Sequence, residues 1–221
     1  MKFYKFVNPE GHNGMVYKEG LNTDPLPFNP KGDCEPGGIY FSREDILAFM
    51  EYGEDLYEVE PFGEVYENPY DPKKWKAHEV KLKYIGKSSD PVVIQMLLDD
   101  GARIDAGYGD ALSSAVGSGS LEVTKLLLAR GADYTIRALA QAAWHGQLEA
   151  VEVLLDAGVN PSSNFSEALE NAALNHHIST VKLLLERGAD VSEIISLKEL
   201  LSDKGHSRVI QLLEEALIGG K

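Results

Sequence analysis

One phrase recurs through the second half of this chain: an apolar run followed by Gly-Ala-Asp or a close variant of it. It ends at Gly101-Ala102, Gly131-Ala132-Asp133, Gly158-Val159-Asn160 and Gly188-Ala189-Asp190, so the glycines are spaced 30, 27 and 30 residues apart. A fixed period of this size is the mark of stacked supersecondary units, each unable to bury its apolar face alone. Within a unit the run before the glycine carries apolar residues at i, i+3 and i+4, as in Val123, Leu126 and Leu127, which predicts an amphipathic helix. Gly131 and Gly188 stand where a helix end requires a left-handed backbone. Asp90-Pro91 supplies an N-cap and a proline for the first helical position.

Three units show a second, upstream helix, over Ala111–Gly117, Ala138–Gly146 and Ala168–His176. Small residues dominate there, as in Ala138-Leu139-Ala140-Gln141-Ala142-Ala143, which lets neighbouring helices approach closely. Gly119-Ser120-Leu121-Glu122-Val123, Leu126-Leu127-Leu128, His145-Gly146-Gln147-Leu148-Glu149 and Val181–Asp190 together resemble the ankyrin repeat family over about residues 88–216. The chain departs from that pattern in two ways. Asp110-Ala111-Leu112-Ser113 and Glu167-Ala168-Leu169-Glu170 replace the family's Thr-Pro-Leu-His, and the units run three to six residues short of the usual 33. The shortfall removes the β-hairpin finger, which moves the expected contact surface to the helical face or an end of the stack. The last unit, Leu197–Leu201 and Ser207–Ala216, lacks the closing Gly-Ala-Asp and turns polar, as a terminal repeat must, and Ile218–Lys221 reads as a flexible end.

The first 86 residues have a different grammar. They hold eight of the ten prolines and no repeat period. Gly38-Ile39-Tyr40-Phe41 reads as a short strand. Ser42-Arg43-Glu44-Asp45 reads as a capping box opening a helix with Ile46, Phe49 and Met50 on one face, stopped at Gly53. Leu56–Glu60 and Ala77–Tyr84 alternate as half-buried strands, and a long Pro/Asn/Gly-rich loop runs from Asn22 to Gly38. The fold expected is an α+β N-terminal domain over residues 1–86, followed by an all-α ankyrin-like repeat solenoid of four to five units over residues 87–217.

His12-Asn13-Gly14, Tyr17–Asn22, Pro27-Phe28-Asn29-Pro30, Gly37–Phe41 and Glu51-Tyr52-Gly53 resemble a module found ahead of short-period ankyrin repeats in giant-virus and some phage proteins. The resemblance implies a viral protein acting inside a host cell. The order His12-Asn13-Gly14, Glu19-Gly20-Leu21, Gly38-Ile39-Tyr40-Phe41 and Glu79 is also similar to the ADP-ribosyltransferase fold. That similarity implies His12 on a nicotinamide ribose, Tyr40 stacked on the nicotinamide and Glu79 as the catalytic carboxylate.

Charge bears on the partners. The net charge is −14, which disfavours attraction to a phosphate backbone, and ten acids with no Lys or Arg lie between Glu44 and Asp71. That cluster reads as a solvated face or, alternatively, as an acidic nucleic-acid mimic. No apolar run approaches membrane-spanning length, and the first residues carry no signal-peptide stretch, so a cytoplasmic protein is expected. The lone Cys34 lies between Asp33 and Glu35, which disfavours a thiolate. His176-His177 on a helix diverge by about 100° and have no carboxylate or cysteine at ligand spacing. The expected function is therefore a non-enzymatic adaptor or inhibitor that binds a host protein, with neither a cofactor nor a metal and without direct nucleic-acid or membrane contact. Its candidate binding residues are Trp144, His145, Tyr108, His176 and His177.

Overall fold

The computed structural model describes residues 2–11, 15–29, 37–68, 72–133, 135–191 and 207–219. The chain divides into two compact units. One comprises Met1–Ala115 with Leu126–Asp133, and the other Val116–Lys125 with Tyr134–Lys221.

The first unit is built on an antiparallel sheet of β1 (Phe3–Val7), β2 (Gly20–Thr23), β3 (Ile39–Phe41), β4 (Asp55–Asn68) and β5 (Lys74–Lys87), in the order β1-β4-β5-β2. β3 also pairs with β5: Ile39–Phe41 lie against Trp75–Ala77, and Gly20–Thr23 lie against Glu79–Leu82 on the next stretch. The alternating segments read at Leu56–Glu60 and Ala77–Tyr84 are thus the middles of two longer strands. β4 passes from Phe62 to Val65 while β5 passes from Glu79 to Ala77, a bulge relieved by Gly63 at φ +73°. Ile39, Phe41, Val59, Trp75, Ala77, Val80 and Leu82 form the buried cluster, with Phe3, Met15, Tyr17 and Tyr57 packed on it. Phe3 meets Phe41 and Trp75 edge-on at 4.8 and 5.3 Å, and Arg43 covers its ring at 4.0 Å.

The capping-box expectation fails in an instructive way. Ile46–Tyr52 is a 3-10 helix whose start has no side-chain cap. Ser42 Oγ instead donates to the Lys73 carbonyl at 2.6 Å, and the Asp45 carboxylate accepts from the Lys73 amide. Asp45 is fully buried and pairs with Arg103 at 3.1 Å. Partners distant in sequence have taken the side chains that would have closed the cap. Buried residues on all sides (Ile46, Leu47, Ala48 and Met50) also replace the single face expected. Gly53 does end the helix, with an extended backbone: an added Cβ would lie 2.1 Å from the Val7 carbonyl carbon, so the chain requires glycine for close approach.

The helices are α1 (Pro91–Asp99), α2 (Ala106–Gly117), α3 (Leu121–Ala129), α4 (Thr135–Trp144), α5 (Leu148–Asp156), α6 (Ser163–Leu174), α7 (Ile178–Glu186) and α8 (Ser207–Gly219). Asp90 caps α1 by accepting from the Val92 amide, with Pro91 at the first position. One hydrogen-bonded end recurs four times. The amides of Gly101, Gly131, Gly158 and Gly188 bond the carbonyls of Leu98, Leu128, Leu155 and Leu185. The next residue's amide bonds Leu97, Leu127, Leu154 or Leu184. All four glycines have φ between +84° and +95°, which is why the repeat phrase needs glycine there.

In the second unit α4 packs on α6 through Ala138, Leu139, Ala142 and Ala143 facing Ala168, Leu169, Ala172 and Ala173, all buried. The Asn171 side-chain amide crosses to the Ala140 carbonyl at 3.1 Å. Ala150, Val151, Leu154 and Leu155 of α5 and Thr180, Val181 and Leu184 of α7 complete the buried stripe. In the first unit α1 joins the sheet, where Tyr4 donates to Asp100 at 3.0 Å and the Arg103 amide bonds the Glu44 carbonyl.

The connections alternate between three residues, as at 145–147, and five or six, as at 157–162, and no strand lies between the helices among the described residues. The upstream helices begin three to five residues before their expected starts, and α4 and α6 stop two residues early, at the turns. α8 continues through Ile218 and Gly219, so part of the expected flexible end is helical. The expected helix over Leu197–Leu201 lies outside the described residues, as do Gly220 and Lys221.

Candidate functional site

Four of the five candidate binding residues converge on two successive turns of the second unit. Trp144 ends α4 and leaves half its surface exposed, at 50%. His145 follows it, exposed, in the three-residue turn to α5. One repeat later His176 is exposed and His177 half-buried in the turn between α6 and α7. The two turns are tied together: His177 Nε2 lies 2.9 Å from the Trp144 carbonyl oxygen. Gly146, with φ +65°, leaves the space that the His177 ring occupies, since a Cβ there would fall 2.3 Å from Nδ1. His176 takes the same left-handed backbone at φ +62°, a strained conformation for a residue with a side chain. The result is an exposed indole on a rigid turn, flanked by imidazoles and by Leu148, itself 39% exposed. Surfaces of this kind suit a protein contact, where aromatic anchors dominate the energetics. Tyr108 belongs to α2, and its side chain lies outside the described residues.

The transferase-like residues are distributed differently. Tyr40, on β3, pairs across the ladder with Lys76. Its hydroxyl accepts from the fully buried Lys76 ammonium at 3.3 Å, and the Lys74 and Lys76 ammoniums stand 5.3 and 5.2 Å from its ring centre. Glu79 lies three residues further along β5, opposite Thr23, and accepts from the Thr23 hydroxyl at 3.0 Å. Three residues of strand separate their backbones by about 10 Å. Tyr40 lines a cleft of about 190 Å³, whose wall does not include Glu79. His12, with Asn13 and Gly14, lies outside the described residues, as does Cys34.

The cleft brings forward residues that sequence reading did not single out. Lys5 of β1 reaches into it beside Tyr17 and Tyr40. Its ammonium donates to the Tyr40 carbonyl at 3.0 Å and stands 4.7 Å from the Tyr17 ring centre. Burial lowers the Lys5 amine to about 8, and burial raises the Tyr17 hydroxyl to about 12, aided by the Asp24 charge. Asp24 is itself satisfied by the Leu26 and Gly38 amides at 2.8 and 2.9 Å. The available signal was a lysine inside the apolar run Phe3-Tyr4-Lys5-Phe6-Val7, whose alternation puts Lys5 on the face of Phe3.

The acids between Glu44 and Asp71 do not form a continuous stripe among the described residues. Asp45 is buried, Glu54 and Asp55 pair with Lys87, and Glu58 pairs with Lys2. Across the hairpin Glu58 faces Lys83 and Glu60 faces Lys81, so β5 interleaves lysines with the carboxylates of β4. The nucleic-acid mimic loses its basis. Asp71 lies outside the described residues.

Comparison with known proteins points to the repeats. The family model for ankyrin repeats (3 copies) matches residues 136–194. An ankyrin repeat protein of Acanthamoeba polyphaga mimivirus is 46% identical over 50 residues, 22% of this chain and 16% of that protein. A second mimivirus ankyrin repeat protein is 31% identical over 136 residues, 56% of this chain and 39% of its own length. The ankyrin repeat and KH domain-containing protein mask-1 of Caenorhabditis elegans is 33% identical over 120 residues, 52% of this chain and 5% of that protein. The chain thus spans well under half the length of these relatives. Among the described residues no helix is long and apolar enough to cross a membrane. Ankyrin repeats are protein–protein interaction modules, and the stacked helix pairs with their four glycine-closed ends are of that construction. Residues 136–194 thus carry ankyrin repeats, in a chain similar over part of its length to mimivirus ankyrin repeat proteins, and a strand-rich antiparallel region precedes the helices.

Proposed function

We propose that this chain is a non-enzymatic adaptor or inhibitor that captures a host protein through the turns around Trp144. The reading rests on one observation: an indole left half exposed at a turn that His177 of the next repeat holds in place. A rigid aromatic anchor loses little side-chain freedom on binding, and truncating such anchors typically costs 2 kcal/mol or more, about thirtyfold in affinity. Short connections between the repeats support contact through the turns and helical face, because no finger is present among the described residues to offer another surface. The viral relatives support a setting in which the partner belongs to the infected cell.

The test is affinity capture from host-cell lysate with the full chain and with Trp144→Ala, followed by titration of the captured protein against both. The proposal expects a specific partner whose affinity falls about thirtyfold in the variant while the circular dichroism spectrum is unchanged. A partner that binds both proteins equally well refutes this surface as the contact.

A further inference from the structure

The cleft beside β1 holds a part-buried cation, Lys5, that no carboxylate of the described residues pairs with. The Lys5 ammonium has three N–H donors. It makes one hydrogen bond, to the Tyr40 carbonyl, and one contact with the Tyr17 ring. No carboxylate pairs with it among the described residues. Asp24 shares the wall, but its two oxygens are already engaged by backbone amides. Burying an unpaired charge is costly, and folds that retain one usually supply the missing partner. Here the missing partner can come from outside, because the amine opens on a cleft and not on packed core.

The remaining wall describes the rest of the ligand. Phe6, Met15, Phe49 and Tyr52 give the cleft a largely apolar, aromatic lining. A cavity of about 150 Å³ admits a benzene ring, so about 190 Å³ fits one ring with a short acidic arm and excludes a dinucleotide. An anion entering there meets an amine already partly withdrawn from water, which strengthens the charge-assisted bond.

We propose that this cleft is a binding site for a single-ring carboxylate, with the carboxylate on the Lys5 ammonium and the ring against the aromatic wall. The site is separate from the Trp144 turns and does not depend on the adaptor reading.

The experiment is calorimetric titration of the full chain with benzoate and with benzamide, repeated on Lys5→Met, which keeps the apolar stem and removes the charge. Alongside it, the acetylation rate of the Lys5 amine is followed by peptide mass spectrometry in the wild-type protein with and without benzoate, with exposed Lys2 as the internal control. The expected result is benzoate binding at least tenfold tighter than benzamide, loss of that preference in Lys5→Met, and slowed acetylation of Lys5 but not Lys2. Equal binding of the two ligands, or no binding with no protection of Lys5 at millimolar benzoate, overturns the proposal. The protection measurement needs no variant, so it decides the question even if Lys5→Met does not fold.

Discussion

Replacing Gly146 by alanine tests the coupling between successive repeats at its tightest point. Two terms act together. An L-residue at φ +65° carries about 1 kcal/mol of backbone strain. The new Cβ would also lie 2.3, 2.5 and 2.6 Å from three atoms of the His177 ring, where ordinary contact begins near 3.4 Å. The ring must move by about 1 Å, which breaks its 2.9 Å bond to the Trp144 carbonyl, worth about 1 kcal/mol. The sum is about 2–3 kcal/mol. Gly158→Ala provides the control: its φ is +92° and no atom lies within 4 Å of the added Cβ, so it carries the backbone term alone, about 1 kcal/mol. Urea unfolding followed by circular dichroism should place Gly146→Ala about 1–2 kcal/mol below Gly158→Ala. In the background of His177→Ala that gap should close, because the obstructing ring is gone. If the two glycine variants unfold alike, or if the gap survives His177→Ala, the reasoning about the turn is wrong.

Three further outcomes are expected. The Lys5 amine titrates near 8 in the folded chain against about 10.5 unfolded, so the unfolded state holds the extra proton between those values. Stability should therefore rise with pH from about 8 to 10.5, by about 3 kcal/mol at most, and this rise should vanish in Lys5→Met when unfolding is measured across that window. Asp45→Ala removes a fully buried carboxylate that accepts from the Lys73 amide and pairs with the exposed Arg103, and should cost about 2 kcal/mol by the same assay. His176→Gly removes a side chain from a backbone at φ +62° and should raise the melting temperature by about 2–4 °C, corresponding to about 1 kcal/mol; a lowered value would mean that the side chain's contacts outweigh the strain.

The two halves differ in how much of them can be read in advance, and the difference follows from the range of their contacts. In the repeats the decisive interactions are local. The Gly188 amide closes on Leu185 and the Ala189 amide on Leu184, all within one phrase of sequence. The same locality made the turn residues Trp144, His145, His176 and His177 recognisable as candidates. What the phrase could not convey was that His177 would bond Trp144, 33 residues earlier, since that contact exists only once one repeat lies on the next. In the sheet unit the reverse holds. Ser42 and Asp45 carry a sound local helix-start signal, yet both side chains serve Lys73, about thirty residues away. β1 gave no warning of its place, because a five-residue strand is defined by its partner: Phe3–Val7 lies against Asp55–Val59.

The amino-acid order alone determined the repeat period, the glycine-closed helix ends, the alanine-rich helices and the short connections between them, because each follows from backbone conformation and spacing within about thirty residues. Tertiary structure alone decided that Tyr40 faces Lys76 while Glu79 faces Thr23, that the acids of β4 are interleaved with lysines of β5, and that Lys5 lies part-buried with no carboxylate of the described residues paired to it. Those facts depend on strand register and on which side chains exclude water from a given amine. Register is set by pairings between residues as far apart in sequence as Gly20 and Leu82, and no local pattern of charge or hydropathy encodes it.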